Sequence, residues 1–178
     1  MRKAKYKSAD VAELKKYYSY DYREGSLILN KTNRIMNLSI DESGRLKIKV
    51  NNKFTYLLAI EFAYALHTGE FCKQYLVPKD LDYTNLKSSN FLLLKTEDYK
   101  KLIWLLTNLR KHCKVLPNAA NVHKASVKLY TWERAMKTVK FESYETACKY
   151  VRRIKLKLYR QLEQLGIDVN SKFLYLEE

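Results

Sequence analysis

The stretch RLKIKVNNKFTYLLAIEFAYALHTG, residues 45–69, carries two hydrophobic periods in succession. From Arg45 to Val50 the alternation is strict, with Arg45, Lys47 and Lys49 on one face and Leu46, Ile48 and Val50 on the other. That is the signature of a half-buried strand with a basic outer row. Asn51-Asn52 reads as a hairpin turn and Lys53 to Leu57 as the returning strand. Leu58 to His67 then reads as a largely apolar helix, with Gly69 as its C-cap. Strands followed directly by a helix place the chain in the α+β class.

Working outward, Asp21 to Gly25 reads as a turn leading into a short strand at Ser26 to Leu29, and Ser43-Gly44 as a second turn. Residues 1–16 form a basic N-terminal arm, either flexible or a short helix. Phe71 to Asn90 is turn-rich and irregular. Phe91 to Leu94 is a short apolar run, and Thr96-Glu97-Asp98 resembles a helix start, predicting a helix to about Leu109. Arg110 to Ser126 lacks a hydrophobic period and contains Pro117, so it is expected to be an extended basic linker. Beyond it, Val127–Thr131 and Thr138–Phe141 predict a hairpin. Ser143 would cap a helix to about Arg152, a second helix would span about Lys155 to Gly166, and Phe173–Leu176 would be a closing strand.

Charge is the strongest bulk signal. The chain of 178 residues holds 34 Lys plus Arg against 19 Asp plus Glu, a net charge of +15. Self-repulsion of that size opposes compaction, and a polyanion would relieve it by giving up condensed counterions. Nucleic acid is the leading partner class, ahead of an anionic membrane surface or an acidic protein. No run approaches the roughly 18 apolar residues of a membrane span. The basic Met1–Lys7 is not followed by an apolar core, so a signal peptide is not expected. Cys72, Cys113 and Cys148 are odd in number and far apart, so neither a zinc ribbon nor a disulfide framework is expected and the chain reads as cytoplasmic. The Lys-, Tyr- and Asn-rich composition, with 4 Gly and 2 Pro, hints at a phage or mobile-element origin.

Two segments resemble the HNH homing endonucleases of phages and introns. Ile60–Glu70 (IEFAYALHTGE) matches the family's helix, and Val77–Leu92 (VPKDLDYTNLKSSNFL) its Asn- and Asp-rich loop. Ser126–Glu178 resembles the modified helix-turn-helix that often follows, through its hairpin, Phe141-Glu142-Ser143 and Glu145-Thr146-Ala147-Cys148. The resemblance implies an AP2/HNH-like sheet with helices over residues 17–109, the linker over 110–126, and a helix-turn-helix module with a short β-hairpin over 127–178.

The departures from the family pattern point away from cleavage. Such a site needs an Asp and a distal Asn or His on one divalent ion, with a His as general base. The alignment puts Val77 at the Asp position and Pro78 at the base. Ile60 replaces the helix His and Glu61 its neighbouring Arg, and of the set Asn90 alone remains. No catalytic residues, no metal and no cofactor are therefore expected.

Loss of cutting leaves a sequence-specific double-stranded-DNA-binding protein, with a transcriptional repressor as its simplest use. The DNA-binding residues expected are Arg45, Lys47, Lys49, Asn85, Lys87, Asn90, Arg110, Lys111, Lys114, Arg152, Arg153, Lys155, Lys157 and Arg160. The alternatives are a nicking endonuclease using Asp80, Asp82 and Asn90, and an adaptor whose former DNA surface binds a protein. A homodimer is compatible with each of these readings.

Overall fold

The structure is a computed structural model that describes residues 8–36, 45–50, 53–118, 121–133 and 135–170. The expected turns at Ser43-Gly44 and Asn51-Asn52, the strand at Phe173–Leu176 and the first seven residues lie outside these. The chain divides into two compact units, Met1–Thr96 and Glu97–Glu178. The expected boundary after Leu109 is corrected accordingly, because the helix beginning at Thr96 belongs with the second unit.

Unit 1 opens with helix α1 (Ser8–Tyr17). The basic arm is thus helical where it is described, since Val11, Leu14 and Tyr18 fall on one side and are buried. Strands β1 (Tyr18–Asp21), β2 (Ser26–Leu29) and β3 (Arg34–Ile35) form an antiparallel sheet in that order. The predicted strand pair follows as β4 (Arg45–Val50) and β5 (Lys53–Leu58), in register from Arg45 opposite Leu58 to Val50 opposite Lys53. Helix α2 (Ala59–Thr68) buries Ala59, Ile60, Phe62, Ala63, Ala65 and Leu66. It ends at Gly69 in the left-handed conformation, φ 88°, whose N–H donates to the Ala65 carbonyl. Phe62 meets Tyr18 edge-on at 5.3 Å, joining the two helices to the first sheet in one core. The irregular region is closed by a further antiparallel pair, β6 (Tyr75–Pro78) against β7 (Phe91–Leu94).

Unit 2 begins with α3 (Thr96–Thr107), which widens into a π-helical turn at Asn108–His112. Strands β8 (Val115–Asn118), β9 (Asn121–Tyr130) and β10 (Met136–Phe141) form an antiparallel sheet in the order β10-β9-β8. The expectation of a linker over residues 110–126 is therefore corrected. Asn108 supplies the physical reason. Its buried amide donates to the Tyr130 carbonyl at 2.9 Å and accepts from the Tyr130 N–H at 2.9 Å, copying a strand neighbour. Trp104 Nε1 donates to the same carbonyl at 2.7 Å. Within the segment Cys113, Val115 and Ala125 pack in the core of this unit, and the register shift at Pro117/Asn118 breaks the alternation that would have announced a strand pair.

The predicted helix-turn-helix is a second correction. Helix α4 (Tyr144–Gln164) runs unbroken for 21 residues through the expected turn. No Gly or Pro lies between Ser143 and Gly166. Ala147, Val151, Leu158 and Leu162 form one buried stripe, with half-buried Ile154 filling the gap. Ser143 caps the start by accepting from the Thr146 N–H at 3.4 Å. Gly166, φ 84°, ends the last turn as Ile167 N–H donates to the Leu162 carbonyl. The stripe packs on one face of the sheet, where Ala125 and Val127 of β9 meet Ala147 and Val151.

Candidate nucleic-acid interface

The positions read from the resemblance as those of a nuclease site are spread over α2, β6 and the loop between β6 and β7. Val77 and Pro78 are buried in β6 and pair with Leu92 and Phe91 of β7. Neither side chain offers oxygen or a base to solvent. Ile60 is fully buried at the start of α2, and beside it burial pushes the Glu61 carboxyl above its ordinary range.

The polar groups of this loop are engaged with one another. Asn90 Nδ2 donates to Asp80 Oδ1 at 2.9 Å and to the Asn85 carbonyl at 2.9 Å, while Asn90 Oδ1 accepts from the Asp80 N–H at 3.1 Å. Asn85 Nδ2 donates to Asp80 Oδ2 at 2.6 Å. Asp80 Oδ1 also accepts from the Asp82 N–H, and Asp82 Oδ1 accepts from the Thr84 N–H and hydroxyl. Asn90 is 6% exposed, so its amide faces the loop and not a ligand. Asn85 and Asn90, both among the expected DNA-binding residues, fasten this loop. Among the described residues, no group of three His, Cys, Asp or Glu stands together as a metal site.

The β1–β2 turn clamps the same loop. Tyr22 carbonyl accepts from both the N–H and the hydroxyl of Ser88, each at 3.2 Å, and the Tyr20 hydroxyl donates to the Leu86 carbonyl. Gly25 has φ 70°, and a Cβ there would stand 2.6 Å from the Lys87 nitrogen. Only glycine permits that approach.

Unit 2 presents the opposite situation. On α4 the exposed positions facing away from the sheet include Lys149, Arg152, Arg153, Leu156, Lys157 and Arg160, with Glu145 and Glu163 at the two ends of the row. Lys149 pairs with Glu145 at 2.6 Å. Arg152, Arg153, Lys157 and Arg160 have no carboxylate within ion-pair distance among the described residues. From Arg152 to Arg160 the helix rises about 12 Å, on the order of three to four phosphate steps along one strand. Lys155 departs from the expected set. It lies half-buried on the flank of α4, and its charge opposes the burial that pushes the Cys113 thiol up.

Other expected residues are scattered. Lys87 is exposed beside Gly25, Arg110 is half-buried in the π-helical turn, and Lys111 and Lys114 are exposed next to it. Arg45, Lys47 and Lys49 occupy β4 at register positions opposite Leu58, Tyr56 and Phe54. Lys149 and exposed Leu156 were not anticipated. Read as one helix, the spacing Lys149, Arg152, Arg153, Leu156, Lys157, Arg160 would have shown them on the same face.

No family model matches the chain, and no curated protein matches it. Among solved structures the chain is similar to one described as "DNA binding and cleavage by the HNH homing endonuclease I-HmuI". The identity is 14%, over 75% of this chain and 76% of that one, with a TM-score of 0.37. A score of that size assigns neither family nor fold. The two-unit α+β architecture and the geometry above stand without it. No helix among the described residues is long and apolar enough to cross a membrane.

Proposed function

We propose that the protein binds double-stranded DNA through the outer face of α4 and does not cut it. The observation that carries this reading is the exposed row Arg152, Arg153, Lys157 and Arg160, which lacks carboxylate partners among the described residues. Four like charges on one helix face repel one another, and a protein gains nothing from them unless a polyanion accepts them. An α-helix fits the major groove of B-DNA, where Arg and Lys recognise guanine O6 and N7 as well as phosphates. The net charge of +15 supports the same partner class.

Abstention from cleavage is supported by the loop of unit 1. Val77 and Pro78 stand at the positions of the metal ligand and the base, and both oxygens of Asp80 accept hydrogen bonds within the loop. The resemblance of residues 17–109 to HNH modules then supports descent from a homing endonuclease of a phage or mobile element. Occupancy of a site is what such a protein retains, and a sequence-specific transcriptional repressor in the cytoplasm of a bacterial host uses occupancy directly.

The test is a gel shift on short duplexes beside a nicking assay on supercoiled plasmid with magnesium and with manganese. The expected outcome is a shift with no nicking. Metal-dependent nicking that disappears in Asn90→Ala would overturn the second half of the proposal. Absence of a shift would overturn the first.

A further inference from the structure

The sheet of unit 2 has a second face that the reading above does not use. Strand alternation turns Ala125, Val127 and Leu129 of β9, with Phe141 of β10, toward α4. The residues between them face the other way: Lys124, Ser126, Lys128 and Tyr130 on β9 and Met136, Thr138 and Lys140 on β10, with Leu116 of β8 opposite Ser126 and the His112 ring against Tyr130 at one end. The register sets Ser126 opposite Lys140 and Lys128 opposite Thr138. Ammonium and hydroxyl groups thus alternate in a checkerboard, with the two lysines on a diagonal of roughly 7–8 Å. Lys128, Thr138 and Lys140 are exposed. Among the described residues the carboxylate at this end of the sheet, Glu142, is held by Lys124 at 3.0 Å. Lys128 and Lys140, which form no ion pair among the described residues, together with the hydroxyls beside them make a phosphate-binding surface. A pair of antiparallel strands has the width that a major groove admits.

The two basic faces of unit 2 point away from each other, because the buried stripe of α4 packs on the opposite side of the sheet. A full helix diameter, about 10–12 Å, lies between them. A duplex seated along one face cannot touch the other. We propose that unit 2 holds two separate duplex segments at once, one on α4 and one on the β9–β10 face, and so bridges DNA. This rests on the reading of α4 as a duplex-binding face.

The experiment uses the full chain, one duplex immobilised on beads and a second, fluorescent duplex of the same sequence in solution, beside a gel shift on single duplex. The wild type is expected to shift single duplex and to retain the fluorescent duplex on the beads. Lys128→Glu with Lys140→Glu should lower retention by roughly tenfold or more while still shifting single duplex through α4. Lys128→Gln with Lys140→Gln guards against a folding defect and should lower retention in the same direction. A wild type that shifts single duplex but retains none overturns bridging and leaves the α4 reading standing. Retention that survives both sheet variants overturns the sheet as the second surface. A wild type that shifts nothing removes the α4 reading, and bridging with it.

Discussion

The loop 79–90 of unit 1 and the outer face of α4 in unit 2 are both dense in polar side chains, yet they treat them in opposite ways. In the loop, Asp80, Asp82, Thr84, Asn85 and Asn90 bond to one another and to neighbouring backbone. On α4, Arg152, Arg153, Lys157 and Arg160 project without carboxylate partners among the described residues. Polar groups that satisfy each other stabilise a fold, whereas like charges left exposed in a row destabilise it until a partner arrives. Residue type alone would have placed function in both regions. Partnering separates them.

The comparison breaks most visibly if the α4 face can be reversed in charge without effect. Arg153→Glu with Lys157→Glu should weaken duplex binding by roughly 10²-fold or more, since charge-assisted bonds are worth about 1.5–3 kcal/mol each. The fold should persist, because both side chains are exposed. Fluorescence anisotropy on a short duplex, with circular dichroism as control, measures both. An unchanged affinity would place the interface elsewhere.

The next effect belongs to unit 1 and should appear as stability. Gly25→Ala meets both a left-handed backbone and the Lys87 nitrogen at 2.6 Å. It should cost about 1–3 kcal/mol, read as a lower denaturation midpoint of unit 1. A midpoint equal to wild type would mean that the clamp on the loop is loose.

The strand pair at Arg45–Leu58, α2 with its glycine cap and the short strand β2 were legible in the sequence, since each rests on a local period or a turn residue. The continuous α4 was not. The cluster Arg152-Arg153 looked like an interruption, while the apolar stripe beneath it ran on at helical spacing. The segment after α3 was missed for the opposite reason. It is organised by Asn108 and Trp104 reaching Tyr130, a contact 22 to 26 residues distant that no local pattern announces. That Val77 and Pro78 carry neither a metal-binding oxygen nor a base was readable from identity alone. That Asn85 and Asn90 are turned into the loop needed coordinates.

A smaller effect should follow pH. Burial, helped by the neighbouring Asp21, pushes the Tyr20 hydroxyl up to about 12. An unfolded tyrosine titrates near about 10. The folded state therefore holds this proton more tightly. The stabilisation it brings is fully present below pH ~10 and is lost as pH rises from there toward 12. Tyr20→Phe should remove that part of the alkaline loss, seen as a flatter midpoint-against-pH curve than wild type over this window. Identical curves would mean that the hydroxyl is not held in its neutral form.

The central claim is that exposed cations of α4 are there for phosphates, and the salt dependence of duplex binding tests it most directly. For each phosphate contact the logarithm of affinity should fall with the logarithm of salt by a slope of about 0.9. The account predicts a steep fall for the wild type, and a slope shallower by about 1.8 when Arg153→Ala and Lys157→Ala remove two contacts. A wild-type affinity that does not change with salt, or a slope that the two substitutions leave untouched, would contradict it.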